Sequence, residues 1–249
     1  MRIIFNKQVE FLLKSLIPKK YQFKRRIERS IKNLDEPELA IMNKLILGGT
    51  DSIDIGVYRG VHTYQMAKFS NIVHSFEANP IIFTDLKKYL PKLKKNVQLY
   101  NYALSDKIEK KILKVPIRNS KVRRSNYEEY YKMGLASVHE KNNFENYEKF
   151  EIISKKLDDF EFKNKISFIK IDVEGHEIEV INGSLNLIKK FRPNLMIEIE
   201  EKHSKNNLND SISFINSLGY KTFVYKQAEL VPFENEQLKK SNNFIFKPN

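Results

Sequence analysis

The chain has 249 residues, 41% of them hydrophobic, so it can bury a substantial core and is too apolar to be a disordered protein. Lysine and arginine total 44 against 31 acidic residues; this net charge of +13 favours phosphorylated substrates, nucleic acid or a lipid surface, unless it only reflects a Lys-, Asn- and Ile-rich composition. The absence of cysteine excludes disulfides and thiolate chemistry, and no signal peptide or membrane-spanning apolar run is visible, so we expect a cytoplasmic protein.

Residues 1–35 form a basic segment with ten basic and three acidic side chains. Apolar residues recur at helical spacing from Phe5 to Ile17, and Pro18 ends the run. Such an amphipathic helix either packs on the neighbouring domain or a partner subunit, as in a homodimer, or lies on anionic lipid at the inner membrane face. We expect packing, and we divide the chain into a helical extension (1–35) and one domain (36–249).

Strands and helices alternate through residues 36–249. In chain order, spacing and apolar runs predict a helix over 39–47 ended by two glycines, a strand over 53–55, a helix over 61–69, a strand over 72–76, a helix over 81–93, strands over 97–104 and 166–171, a helix over 178–191, a strand over 195–199, a helix over 211–218, and strands over 220–225 and 243–246. This alternation predicts an α/β fold with a mostly parallel sheet. The last two strands are expected to form an antiparallel end.

A basic insertion at about 107–162 interrupts the alternation. Its first part interleaves cations with tyrosines, namely Lys114, Arg118, Lys121, Arg123, Arg124 and Lys132 with Tyr127, Tyr130 and Tyr131. An insertion of this length either has structure of its own or covers an active site. A phosphate of the acceptor could be bound by the guanidinium groups of Arg118, Arg123 and Arg124. Alternatively, these residues could belong to a solvated loop.

Three predicted strands end in groups that suit a nucleoside and a reaction centre. The first runs into a loop from Asp54 through Gly56 to Gly60, where glycine permits a sharp turn and close approach to a ligand. The second ends at Glu77, whose carboxylate either accepts the hydroxyl protons of a ribose, which we favour, or is simply solvated. The third runs into Asp-Val-Glu-Gly-His-Glu at 172–177.

These motifs resemble the FkbM family of S-adenosylmethionine-dependent methyltransferases from about Glu38 to Glu200. The strongest part runs from Ile169 to Gly183 and continues at Pro193 to Glu198. The resemblance implies a Rossmann-like fold with helices on both faces, and O-methylation of a sugar or a polyketide-type hydroxyl. It implies contacts of Asp54 and Gly56 with the methionine end of S-adenosyl-L-methionine, of Glu77 with its ribose and of Ala103 to Ser105 with its adenine. The full set of candidate cofactor contacts is Asp54, Gly56, Tyr58, Gly60, Glu77, Ala103, Leu104, Ser105 and Asp172.

The first loop departs from the family pattern, because Val57 and Tyr58 stand where Ala and Asn are usual. The side-chain contact expected from this asparagine is therefore either lost or replaced by a contact from Tyr58. The departure, with the basic N-terminal segment, leaves open a non-catalytic scaffold subunit that tethers a glycosyltransferase to the membrane. RNA methylation is the other alternative, although nucleic acid is not the partner that we expect.

Methyl transfer to a hydroxyl requires alignment of the acceptor oxygen and removal of its proton. Asp172, Glu174 and His176 are the candidate bases; Asp172 is best placed, and His176 has the most suitable intrinsic pKa. Glu177 is interpreted as capping the following helix.

Acidic residues after the next predicted strand are candidates for the acceptor site. Glu198 and Glu200 are expected to contact the substrate, and Glu201 and His203 lie nearby in the sequence. With Asp172 they could hold a divalent cation, but hydrogen bonding to a sugar without metal is the expectation. We therefore expect O-methylation of a free, nucleotide-linked or lipid-linked carbohydrate in surface polysaccharide or lipopolysaccharide assembly.

Overall fold

A computed structural model describes residues 17–33, 35–117, 136, 138, 145–199, 207–234 and 242–249. Its strands are β1 (Asp51–Ile55), β2 (Val73–Phe76), β3 (Val97–Tyr100), β4 (Ala103–Leu104), β5 (Glu109–Pro116), β6 (Tyr147–Lys155), β7 (Ile166–Ile171), β8 (Asn194–Glu198), β9 (Tyr220–Lys226), β10 (Glu229–Pro232) and β11 (Asn243–Pro248). The helices are α1 (Lys19–Asn33), α2 (Met42–Leu45), α3 (Val61–Met66), α4 (Pro80–Leu93), α5 (Glu177–Asn182), α6 (Leu185–Phe191) and α7 (Leu208–Ser217). Most of the predicted helix from Phe5 to Ile17 lies outside the described residues.

The central sheet has eight strands in the order β3-β2-β1-β7-β8-β11-β9-β10. The five strands from β3 to β8 pair in parallel, which confirms the predicted α/β fold with a mostly parallel sheet. Strands β2 and β3 are added to one side of β1, and the next strand of this sheet in the chain, β7, pairs with the other side of β1. The order of the strands therefore reverses between β1 and β7, and in open α/β sheets ligands bind beyond the carboxyl ends of the strands at this point.

The two faces of the sheet are covered by different helices. On one face, α1, α3 and α4 pack around a core that includes Phe168 and Met196. On the other face, α5, α6 and α7 pack around a core that includes Ile169, Ile171 and Ile197. Because neighbouring residues of β7 point to opposite faces and both faces are covered, the whole strand is buried, which explains its nearly continuous apolar sequence.

The antiparallel end of the sheet is present as predicted, and the structure supplies its strand order. Strand β11 lies between β8 and β9 and runs antiparallel to both, and β10, which was not predicted, forms the edge. Phe244 and Phe246 of β11 are fully buried in the core shared with α5, α6 and α7. Burial of these rings explains why the last strand of the chain takes an interior position.

Three predicted elements are divided in the structure. The predicted helix over 39–47 is a 3-10 helix (Pro37–Ile41) followed by α2, and the predicted helix over 178–191 is α5 and α6. The break between α5 and α6 is at Gly183, where a Cβ atom would overlap the carbonyl oxygen of Ser105. The predicted strand over 97–104 is β3 and β4, which belong to different sheets.

The insertion has structure of its own, as predicted. Strands β5 and β6 form an antiparallel pair, and β4 joins β6 in parallel to complete a three-stranded sheet. Leu113, Val115 and Ile152 of this pair are buried in the same core as α3 and α4. The small sheet is therefore part of the domain core and lies beside the carboxyl ends of β1 and β2.

Candidate active site

A cleft lies at the carboxyl ends of β1, β2 and β7, beside β4. It encloses about 720 Å³ of space between its lining atoms, part of it open to solvent. Its described lining is Ile55, Gly56, Tyr58, Phe76, Glu77, Ala78, Asn79, Ile82, Tyr102, Ala103, Leu104, Leu113, Ala136, Val138, Asp172, Val173, Glu174 and His176. All three strand ends singled out from the sequence therefore contribute to one cleft.

Gly56 forms the floor of the cleft where β1 meets β7. Its φ is +83°, and a Cβ atom at this position would overlap the carbonyl oxygen of Asp172. Glycine is therefore required for two reasons, the left-handed backbone and the contact between two strand ends. Tyr58 follows with a φ of 48°, and its side chain is partly exposed beside the Arg59 guanidinium, which lies 5.1 Å from the ring centroid.

Glu77 is buried at the end of β2, which contradicts the alternative that it is simply solvated. Its Oε2 accepts a hydrogen bond from the backbone N–H of Tyr58 at 2.8 Å, and its Oε1 accepts one from Asn79 at 2.8 Å. Burial raises the pKa of Glu77 to about 7, against the opposing effect of these two bonds. A carboxylate has about four acceptor positions, so this side chain can still accept hydroxyl protons from a ligand in the cleft.

Asp54 lies within β1, on the face that α3 covers, and it is completely buried. Thr63 of α3 donates a hydrogen bond from its hydroxyl to Asp54 Oδ2, whereas Oδ1 has no hydrogen-bond partner in the described part of the chain. Burial raises the pKa of this carboxyl. An unpaired buried carboxylate oxygen is costly, so a cationic or proton-donating group is expected near it in the functional state.

Lys170 is a buried cation that the sequence analysis did not identify. Its Nζ lies 2.9 Å from Asp172 Oδ2 and 3.3 Å from the carbonyl oxygen of Gly56. Burial by itself would lower the pKa of Lys170, but the carboxylates of Asp172, Asp54 and Glu36 outweigh this effect and raise it. The ammonium therefore joins the ends of β7 and β1 and holds one oxygen of Asp172. The only signal in the sequence is a lysine inside a strand whose other residues are apolar except for Ser167.

A second pair, Glu36 and His62, lies close to this cation. His62 Nε2 on α3 is 2.9 Å from Glu36 Oε2. Burial would raise the pKa of Glu36, but His62 and Lys170 outweigh it and lower the pKa. Neither residue belongs to a recognisable motif, so only their position in the fold brings them to this region.

The loop after β7 turns sharply into α5. Glu174, which lines the cleft, has a φ of 54°. Glu177 Oε1 accepts hydrogen bonds from the N–H groups of Gly175 at 2.9 Å and Val173 at 3.4 Å, and burial raises the pKa of this carboxyl to about 7. Glu177 therefore stabilises the loop before α5, a structural role close to the predicted cap.

His176 is buried and held from two sides. Its Nε2 is 2.9 Å from the hydroxyl oxygen of Ser105, and its Nδ1 is 3.5 Å from Glu179 Oε2. His176 lines the cleft, whereas Ser105, a predicted adenine contact, lies behind it and does not. This arrangement suits a histidine that joins β4 to the loop after β7.

Apolar side chains cover the remaining walls. Ala103 and Leu104, two of the predicted adenine contacts, line the cleft together with Leu113 of β5. Ala136 and Val138, from the long insertion, also line it. Three of the predicted cofactor contacts lie outside the lining, namely Asp54, Gly60 and Ser105. Gly60 faces Leu86 and Leu90 of α4. Its φ of +76° and its close packing on α4 explain this glycine.

The predicted acceptor contacts lie mainly outside the described residues, which include neither Glu200 nor Arg118, Arg123 and Arg124. Glu198 is described; it ends β8 opposite Asn243 of β11 and is not among the residues that line the cleft. No group of three or more His, Cys, Asp or Glu side chains in the described part of the chain is arranged to hold a metal ion.

Comparisons with known proteins identify the domain. A family model described as the methyltransferase FkbM domain matches residues 54–222. The structure is similar to that of methyltransferase FkbM from Methylobacillus flagellatus KT, with a TM-score of 0.50 and 14% identity over 80% of this chain and 43% of that chain. It is also similar to a TehB-like SAM-dependent methyltransferase from Corynebacterium glutamicum (TM-score 0.46, 9% identity, 93% and 98% coverage) and to SMU.1697c from Streptococcus mutans, solved with SAH (TM-score 0.45, 11% identity, 85% and 96% coverage). The chain thus spans less than half of the Methylobacillus protein, and comparison with curated proteins found no match.

Proposed function

This chain belongs to the FkbM methyltransferase family, and we propose that it uses S-adenosylmethionine to methylate a sugar hydroxyl in surface polysaccharide or lipopolysaccharide assembly. One observation carries the proposal: Gly56, Glu77 and Asp172, which come from three separate strand ends, line the same cleft. The carbohydrate acceptor is the class for which the family resemblance argues. A free, nucleotide-linked or lipid-linked sugar would each present the same hydroxyl.

The residues present fit the cofactor. Asp54 Oδ1, buried and without a hydrogen-bond partner in the described residues, suits the ammonium of the methionine end, directly or through a water molecule. Gly56 lines the cleft, where the absence of its side chain lets the ends of β1 and β7 meet, and the spare acceptor positions of Glu77 suit the ribose hydroxyls. Ala103 and Leu104 provide an apolar wall for a flat aromatic base.

When bound, the cofactor supplies a methyl group on an electrophilic sulfonium. The protein must then hold the acceptor oxygen in line with it and receive the hydroxyl proton. Asp172 is the residue that we assign to this task, because it lines the cleft and Lys170 fixes one of its oxygens while its side chain remains 27% exposed. Alignment of this kind can supply roughly 7–11 kcal/mol of the lowering of the barrier.

The other two candidate bases take lesser roles in this proposal. His176 contacts Ser105 and lies near Glu179, so movement of its ring to receive a proton would break contacts that hold the loop. Glu174 lines the cleft on a left-handed residue, where it is suited to contact the acceptor. The ranking predicts that loss of the Asp172 carboxylate has the largest effect on turnover.

The decisive experiment is incubation of the purified chain with methyl-labelled cofactor and the sugar nucleotides and glycolipids of its host. We expect label in a sugar O-methyl group. Asp172→Asn should lower turnover by at least about a hundredfold, the range of a general base, while calorimetry gives nearly unchanged cofactor affinity. Glu161→Gln, an exposed change of the same chemical kind, should leave both unchanged.

Three results would contradict the proposal in different ways. Unchanged turnover of Asp172→Asn would remove this residue from the mechanism. Cofactor binding with label in RNA but in no sugar would refute the acceptor class. Absence of cofactor binding would refute catalysis and favour the scaffold alternative.

A further inference from the structure

Helices α1 and α4 lie side by side and carry much of the positive charge of the chain. The 15 residues of α1 include seven basic and one acidic side chain, and the 14 residues of α4 include three basic and one acidic. The helices are joined beneath this charge, because Phe23 is buried with its ring centroid 5.5 Å from that of Tyr89. α1 is thus anchored on the domain, and its cations have a fixed place.

We define the basic face as Lys19, Lys24, Arg26, Arg59, Lys88 and Lys94, all exposed or partly exposed. Electrostatic interactions connect them: Asp85 interacts with Lys19, Arg26 and Lys88, and Arg26 interacts with Arg59. Glu28 connects the other end, since it lies near Lys24 and Lys94. Among the described residues, Asp85 and Glu28 are therefore the acids that interact with these six cations.

The cations of this face outnumber the two acids, and repulsion between cations contributes to the pKa of two of them. Burial lowers the pKa of Arg26, and repulsion by Arg59 adds to the effect despite the opposing Asp85. Burial likewise lowers the pKa of Lys94, with repulsion by Lys68 and Lys24. A surface whose cations repel one another gains free energy when an anionic surface supplies the missing negative charge.

The chemistry of the face distinguishes lipid headgroups from nucleic acid. The aromatic rings beneath it lie under cations: Lys88 is 5.5 Å from the centroid of Tyr89, and Lys94 is 4.6 Å from that of Tyr64. Those two rings are buried and covered, so they offer no platform on which RNA bases could stack. Tyr21 of α1 and Tyr58, which lies beside Arg59, are exposed, and an exposed tyrosine suits the headgroup level of a bilayer as well as a stacked base, so the choice of lipid rests on the cations. Four of the six cations are lysines, whose compact ammonium groups suit a diffuse layer of phosphates rather than one bidentate site.

The face also reaches the cleft. Arg59 belongs to the basic face, and the preceding residue, Tyr58, lines the cleft. A protein that rests on this face would therefore present the cleft mouth near the same surface. No helix in the described residues is long and apolar enough to cross a membrane.

We infer that the basic face docks the protein on a bilayer rich in anionic lipids, through contacts of Lys and Arg with headgroup phosphates. The inference does not depend on the identity of the methyl acceptor. Attraction to such a surface is worth about 1 kcal/mol for each cation near it, equivalent to about fivefold in partitioning, and it is screened by salt.

The test uses sedimentation of the full chain with phosphatidylcholine vesicles, with and without phosphatidylglycerol. We expect binding to the vesicles with phosphatidylglycerol alone, and weaker binding as salt is raised. The paired change Lys24→Gln and Lys88→Gln should lower partitioning about 25-fold, from two losses of about fivefold each. The control pair Lys189→Gln and Lys190→Gln removes the same charge from α6, on the other face of the sheet, and should have little effect.

Several outcomes would overturn the inference. Equal losses in the two pairs would assign binding to net charge rather than to this face. Binding to neutral vesicles, or to no vesicles, would exclude docking on anionic lipid. Binding of RNA that is lost in the Lys24 and Lys88 pair, without vesicle binding, would assign the face to nucleic acid. Urea denaturation of each variant measures folding without the cofactor and keeps this test separate from that of the proposed function.

Discussion

Replacement of Lys170 by methionine tests the electrostatic arrangement of the site. The side chain is 3% exposed, and its Nζ lies 2.9 Å from Asp172 Oδ2 and 3.3 Å from the carbonyl oxygen of Gly56. Removal of one partner from a buried ion pair costs about 3–5 kcal/mol, because the remaining charge is left without compensation. Water reaches the Asp172 side chain, which is 27% exposed, so we expect the lower end, about 3 kcal/mol.

That loss is a large part of the total stability of about 5–15 kcal/mol that folded proteins have. For a chain of this size it corresponds to a fall in Tm of roughly 6–12 °C. Urea denaturation at neutral pH measures the free energy of unfolding directly. The double variant Lys170→Met with Asp172→Asn should be more stable than Lys170→Met alone, because the carboxylate in direct contact with the Lys170 ammonium is then removed as well.

Two results would refute this reasoning. A loss of less than about 1 kcal/mol in Lys170→Met would mean that the pair contributes as little as an exposed one. Strictly additive losses in the double variant would mean that Lys170 and Asp172 do not interact, contrary to their contact.

The remaining predictions concern the floor and rim of the cleft. Gly56→Ala should lower the free energy of unfolding by several kcal/mol and abolish measurable cofactor binding, because its Cβ overlaps the carbonyl oxygen of Asp172. Urea denaturation measures the stability, and calorimetry measures the cofactor affinity. The control Gly48→Ala, where a Cβ meets open space, should change neither the stability nor the affinity. Glu77 has a native pKa of about 7 against 4.5 unfolded, so its contribution to stability is complete below about 4.5 and is lost as pH rises through 7. Glu77→Gln should reduce this pH dependence of unfolding; an unchanged slope would contradict the assignment. Because the ionised form accepts ribose hydroxyls, cofactor affinity should rise from pH 6 to 8 in the native chain and stay flat in Glu77→Gln.

The strand ends could be found from the sequence because their signals are local. Asp54, Gly56, Glu77 and Asp172 each stand next to an apolar run, and parallel strands bring their carboxyl ends to one edge of a sheet. The alternation of strands and helices likewise predicted the α/β fold. These inferences need only neighbouring residues and the general geometry of parallel sheets.

Position in the sheet and pairing between distant residues required the tertiary structure. Strand β11 pairs between β8 and β9 because its buried phenylalanines fit that core, and no local pattern records such a fit. Ala136 and Val138 reach the cleft from an insertion whose sequence looks polar and basic.

Lys170 gives the same lesson for the site. In the sequence it is an isolated lysine in an apolar strand, and its role appears only when Asp172, Asp54 and Glu36 surround it. Hydrophobic periodicity is a property of adjacent residues and can be read along the chain. Compensation of a buried charge depends on groups that are far apart in sequence, so it is decided only when the chain has folded.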